Sequence, residues 1–121
     1  MEWQPISEGS LWDLINSAYE SMTPTQRKIW EIIKVTPEKW NEETMGRVGN
    51  GFWVVAIIGS SVIWYNDIED GFNQSSYSRY GEIAEYWCNQ DELQIAVQNV
   101  INLLNDGYYS SGRAGPPKSV A

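Results

Sequence analysis

The sequence contains no histidine, a single cysteine, and eight lysines and arginines against sixteen aspartates and glutamates. The missing histidine excludes Ser-His-Asp triads, Cys-His dyads, histidine general bases and histidine metal ligands. A lone cysteine, Cys88, cannot form an intramolecular disulfide or a zinc site of the usual kinds, and it fits a reducing compartment. Its place before the last predicted helix would let the helix dipole lower its pKa, but a buried, inert thiol is the simpler reading. The shortage of bases leaves a formal charge of −8 and an isoelectric point near 4.3. Such a surface is repelled by phosphate backbones and anionic membranes, so neither nucleic acid nor membrane is an expected partner. A basic protein, a cationic ligand or a metal ion stays possible on charge.

Long apolar runs are missing too. The longest, Phe52 to Ile58, has seven residues, where a membrane-spanning helix needs roughly 20. The first ten residues show no basic region followed by an apolar stretch, so no secretory signal is expected and the protein is placed in the cytoplasm. No phosphate-cradling glycine motif appears. "GRVGNG" at 46–51 has no strand-loop-helix order around it and no Lys-Ser/Thr pair after it. A calcium loop starting at Asp67 fails because Phe72 stands where glycine is needed. No cofactor is expected.

What is present is a domain-sized chain of 121 residues, 42% apolar, with seven tryptophans and seven tyrosines. That is enough to bury one core without disulfides or a structural metal. Leu11, Leu14, Ile15, Ala18, Tyr19 and Met22 form one helical stripe, with Ser10 as its cap and Thr23-Pro24 as its stop. Ile29, Trp30, Ile32 and Ile33 suit a helix or a strand. The β-branched density and Pro37 favour a strand over about 28–36. "FWVVAIIGSSVIWYND" reads as a hairpin over 52–67, with Gly59 free to take the positive φ of a tight turn. Its first arm is apolar at every position, which suggests a central strand covered on both faces. Residues 71–81 read as loop, with one short strand around Tyr77 to Ile83. Leu93, Ala96, Val97, Val100, Ile101 and Leu104 mark a second helix, with capping-box spacing at Asn89 and Glu92 and Gly107 as its left-handed end. The expected fold is α+β: an antiparallel sheet of three or four strands around that hairpin, packed with an N-terminal and a C-terminal helix. It occupies residues 1–107 as one domain, and the Gly/Ser/Pro-rich residues 108–121 form a mobile tail. Trp64 and Trp87 are expected in the core, and Trp3 and Trp40 at the surface.

The acids are not spread evenly. Residues 66–92 hold seven acids and one base, Arg79, and so carry −6 of the total charge, whereas 27–47 hold five bases and four acids. The same window holds Phe72, Tyr77, Tyr80, Tyr86 and Trp87, and Tyr65 stands immediately before it. Acids mixed with aromatics suit a surface that grips a basic partner, with rings as anchors and carboxylates as charge partners. The expected contact residues are Asp67, Glu69, Asp70, Tyr80, Glu82 and Glu85. The plainer reading is a solvated loop, with Tyr86 and Trp87 in the core. A third reading has Asp67, Asp70 and Glu82 or Glu85 converging on a metal ion or acting as an acid/base pair, as in a carboxylate- or metal-dependent hydrolase. A structural subunit that pairs with itself, a homo-oligomer, is a further alternative.

Two stretches, "VIWYNDIEDGFN" at 62–73 and "YGEIAEYWCNQDEL" at 80–93, resemble the matching part of a group of small uncharacterised bacterial proteins, over Gly51 to Leu93. In size and compact α+β style the chain is similar to immunity proteins of bacterial toxin systems. Those proteins are often acidic because their targets, frequently nucleases, are basic. The resemblance implies a non-enzymatic protein-binding domain that occupies a basic partner.

Overall fold

A computed structural model describes residues 4–45 and 50–115, and Trp3 lies outside them. The elements in chain order are α1 (Glu8–Ser21), α2 (Pro24–Ile33), β1 (Lys34–Trp40), β2 (Phe52–Ile58), β3 (Ser61–Asn66), β4 (Gly71–Ser76) and α3 (Leu93–Asp106). The four strands form one antiparallel sheet in the order β1-β2-β3-β4. The fold is α+β, with the expected N-terminal and C-terminal helices on the sheet.

The second helix corrects the strand expected over 28–36. Thr23 accepts from the Gln26 N–H at 3.1 Å while the Gln26 side chain accepts from the Thr23 N–H at 2.9 Å. Pro24 fills the first turn, where a missing N–H costs nothing. Thr23-Pro24 therefore starts a helix as well as ending one. Arg27 reaches back to the carbonyls of Tyr19 and Glu20 at 3.0 and 3.1 Å, satisfying the open end of α1. The chain turns extended only at Lys34. Ser7, not Ser10, caps α1.

The central position of β2 explains its unbroken apolarity. Val55, Ala56 and Ile63 face the helices, together with Leu11, Ile15, Trp30 and Val97. Phe52, Val54, Val62 and Trp64 face the other side, in a second cluster with Trp40 and Ile83. Between Val54 and Ala56 the register shifts, so Val55 and Ala56 both turn to the helices and alternation resumes at Ile57. Gly59 has φ +56 in the turn to β3, as expected of that glycine. Trp40, expected at the surface, is 1% exposed, because β1 turns it into the second cluster. Trp64 is fully buried and Trp87 half-buried.

The last strand was also misplaced by sequence. β4 occupies 71–76, where loop was expected, and 77–83 contributes only an isolated bridge from Glu82 to Asn41. From Tyr77 the chain crosses the second cluster, laying Tyr77, Ile83 and Tyr86 over it, and then follows the outer edge of β4. Phe72 N–H donates to Asp91 O at 2.8 Å, and Ser76 N–H to the Glu85 carboxylate at 2.9 Å. α3 is capped at Glu92, without a side-chain bond, and ends at Gly107 with φ +81. Asn89 does not cap it, and Cys88 lies five positions ahead of its first residue, outside any dipole effect. Burial pushes the Cys88 thiol up, with Glu69 adding to it.

Candidate functional site

The turn from β3 to β4 is organised by Asn66, which is fully buried. Its side-chain oxygen accepts from the N–H groups of Ile68 and Glu69 at 3.0 and 3.2 Å. Its amide donates to the Tyr86 hydroxyl and the Trp87 carbonyl, both at 3.0 Å. All four bonding positions of the amide are used, and the acidic turn is thereby pinned to the segment that covers the far face. Asp70 closes the turn at φ +56, a conformation aspartate accepts more readily than most residues.

This geometry divides the six expected contact residues. Asp67 is 7% exposed and accepts from the Ile6 N–H at 2.8 Å, on the helix side of the sheet. Burial pushes its carboxyl above the ordinary carboxylate range, against that backbone donor and the charge of Lys39. Asp70 accepts from the Tyr65 hydroxyl at 3.4 Å, also on the helix side. Glu69 is exposed between the layers, and its charge is felt by Tyr86 and Cys88. Tyr80, Glu82 and Glu85 belong to the covering segment on the opposite face. Tyr80 packs on Trp40, with ring centroids 4.8 Å apart, and donates to Glu38. The Tyr80 hydroxyl, and after it the Trp40 indole N–H, hold the Glu38 carboxyl below its ordinary value. Glu82 faces Arg79 at 3.8 Å. Burial raises Glu85, but the N–H and hydroxyl of Ser76 and the charge of Arg113 outweigh it, and the carboxyl stays below its ordinary value. Asp67 and Asp70 therefore stand apart from Glu82 and Glu85. Among the described residues no group of three or more Cys, Asp or Glu side chains is arranged to hold a metal ion.

A different set of acids does come together. Asp70, Asp91 and Glu92 line a slot of about 120 Å³ between α1, the β3–β4 turn and the start of α3. Leu14, Ala18, Phe72 and Leu93 supply its apolar lining, and Tyr65 lines it as well. The two ion pairs among the described residues, Lys34 with Glu31 and Arg79 with Glu82, leave all three carboxylates out. A recess lined by apolar side chains and three acidic residues suits one lysine or arginine side chain, its methylenes on the apolar lining and its charge near the carboxylates. Asp91 and Glu92 were counted in the acidic window but not assigned to the site. Their nearness to Asp70 depends on a β4 that sequence did not reveal. A larger cleft of about 540 Å³ between α1, α2 and β1 is lined by Trp12, Tyr19 and Trp30, and its two charges, Glu31 and Lys34, neutralise each other at 2.7 Å.

Tyr65 reports on the slot. Burial first, then the charge of Asp70 and the bond to it, push the phenol from its ordinary 10 up to about 12. The folded pKa lies above the unfolded one, so this contribution to stability is complete below pH 10 and is lost between about pH 10 and 12. Tyr65→Phe keeps the ring against Phe72, 4.8 Å away, and should flatten the fall of stability over that interval. Urea denaturation from pH 9 to 12 measures it; equal slopes in both proteins would place the alkaline loss elsewhere.

The fold and slot define a small α+β domain with an acidic recess and no histidine chemistry. No protein-family model, curated protein or solved structure matches the chain. Among the described residues no helix is long and apolar enough to cross a membrane.

Proposed function

We propose that this is a non-enzymatic, acidic protein-binding domain that occupies a basic protein, in the manner of an immunity protein neutralising a basic toxin. The observation that carries the reading is the slot lined by Asp70, Asp91 and Glu92 together with apolar side chains, with no lysine or arginine among the described residues in an ion pair with any of the three. Carboxylates left unneutralised at the mouth of a recess attract a cationic chain from a distance and then fix its register. The chain's net charge of −8 adds to the attraction.

The test is the triple replacement Asp70→Asn, Asp91→Asn and Glu92→Gln. Asparagine tolerates the left-handed backbone at 70 and can still accept from Tyr65. At 91 it can still accept from Asn89, which now donates to Asp91 at 3.1 Å. Folding should therefore hold while three charges vanish. Basic proteins captured by the wild type should associate about tenfold or more slowly with the variant at low salt, and the difference should shrink as salt rises. Unchanged association rates in a folded variant would remove the slot from the interface.

A further inference from the structure

Beyond Gly107 the chain turns back and lies against Cys88 and Asn89 of the covering segment and Asn99 of α3. Asn89 holds this arm from both sides: its amide donates to Gly112 O at 3.0 Å, and its side-chain oxygen accepts from Ala114 N–H. Cys88 N–H donates to Ala114 O at 2.7 Å, and the Ser111 hydroxyl to Asn99 at 2.9 Å. The Arg113 guanidinium sits 3.9 Å from the Tyr109 ring centroid and 5.2 Å from that of Trp87. Its charge acts on Glu85. Beneath the arm, Asn73, Gln74, Asp91, Asn99 and Tyr109 line a crevice roofed by Arg113, too tight to admit a water molecule.

The arm fits this crevice incompletely. Gln74 is 4% exposed, yet its side-chain oxygen has no hydrogen-bond partner. A buried acceptor without a donor is unusual in a native core and calls for an explanation, of which a partner's donor is one. The arm is also weakly anchored. Ser110 and Gly112 to Gly115 are exposed, and no side chain from 110–115 enters either apolar cluster. A segment held by surface hydrogen bonds and one cation on two rings opens more easily than the core.

We infer that the crevice beneath residues 110–115, with Tyr109 as part of its wall, is the receptor for an extended, arginine-bearing segment of the partner, and that the chain's own Arg113 arm is its resident stand-in. This rests on the protein-binding reading above and names the chemistry of a second contact beside the slot, since Asp91 lines both. The arginine is recognised by the rings of Tyr109 and Trp87, on which Arg113 now sits, and by the charge of Glu85. The extended backbone is recognised by Asn89 and Cys88, as the arm's backbone is now. A segment that also offers a donor to Gln74 would displace the arm.

The test opens the full chain with Arg113→Ala and Ala114→Pro, which removes the guanidinium from the roof and the N–H given to Asn89 while leaving Asn73, Gln74, Asn89, Asp91 and Asn99 in place. The probe is a synthetic peptide of the arm's own sequence, acetyl-Ser-Ser-Gly-Arg-Ala-Gly-amide. Calorimetry should show it binding the opened variant about tenfold or more tightly than the wild type, whose tethered arm competes at high effective concentration. The Trp87 indole resonance should shift on binding, and the same peptide with alanine for arginine should not bind. No binding to the folded, opened variant, or equal binding of the alanine peptide, overturns the inference. Adding Asp70→Asn and Glu92→Gln to the opened chain should leave peptide binding intact, so a failure of the slot and a failure of the crevice are read separately.

Discussion

Gly71→Ala should cost about 3 kcal/mol or more, the upper end of what overpacking does, and lower the melting temperature by more than about 10 °C in a domain of this size. Gly71 pairs with Asn66 at the start of β4. A Cβ there would stand 2.1 Å from Asn89 O and 2.4 Å from Gln90 Cα. Both are backbone atoms, so no rotamer change relieves the clash. The segment cannot retreat without breaking the bond from Phe72 N–H to Asp91 O and the bond from Asn89 N–H to Asn73, each 2.8 Å. Gly9→Ala, in the first turn of α1 with nothing within 4 Å of its Cβ, is the control and should be neutral or stabilising by up to about 1 kcal/mol. Thermal unfolding followed by circular dichroism compares them. Melting of Gly71→Ala within a few degrees of wild type would mean that 89–91 is not held against the strand. The slot and the crevice would then both lose the element that carries Asp91.

That close crossing was not legible in the sequence, and the reason is physical. "GFNQSS" is polar and reads as loop, but Asn73 and Ser75 are buried because each finds a partner in the covering segment. Asn73 bonds Asn89 O at 3.1 Å, and the Ser75 hydroxyl bonds Glu85 O at 2.8 Å. Those partners lie ten and sixteen residues away, beyond any local pattern. The hairpin and the outer helices were legible because their periodicity is local: Gly59 turns, Gly107 ends α3, and the stripes of Leu11, Ile15 and Ala18 and of Leu93, Ala96, Val97 and Val100 are the buried ones. At α2 two local signals competed. The β-branched density argued for a strand, and the Thr23–Gln26 capping box with Pro24 prevailed. Ile32, 74% exposed, is the residue that blurred the stripe. Charge counted along the chain found the acidic window but not its division by the sheet. Asp67 and Asp70 lie with the helices, and Glu82 and Glu85 lie across the sheet from them.

Trp64→Ala should cost about 3–5 kcal/mol, as expected for removing a fully buried large aromatic side chain. That is a large part of the roughly 5–15 kcal/mol a domain has in total. The ring lies 4.7 Å from Phe52 and 5.9 Å from Tyr86 by centroid. Its indole N–H donates to the Ser75 hydroxyl at 2.8 Å, and that hydroxyl donates to Glu85 O at 2.8 Å. Trp64 therefore joins β3 to β4 and, through Ser75, to the covering segment. Trp64→Phe keeps most of the packing and loses the hydrogen bond, so it should cost about 1–2 kcal/mol. Urea denaturation gives both values, and a loss below about 1 kcal/mol for the alanine would deny the far-side cluster its structural role. Hydrogen exchange should show the alanine loosening the amides of Ser76 and Ala84, which bond across from β4 to the covering segment. Tyr86 in that segment also accepts from Asn66, which shapes the Asp70 turn. Cutting the Trp64 relay should therefore disturb the Asp70 turn, and with it the partner binding proposed for the slot, from the opposite face of the sheet, although Trp64 does not line the slot.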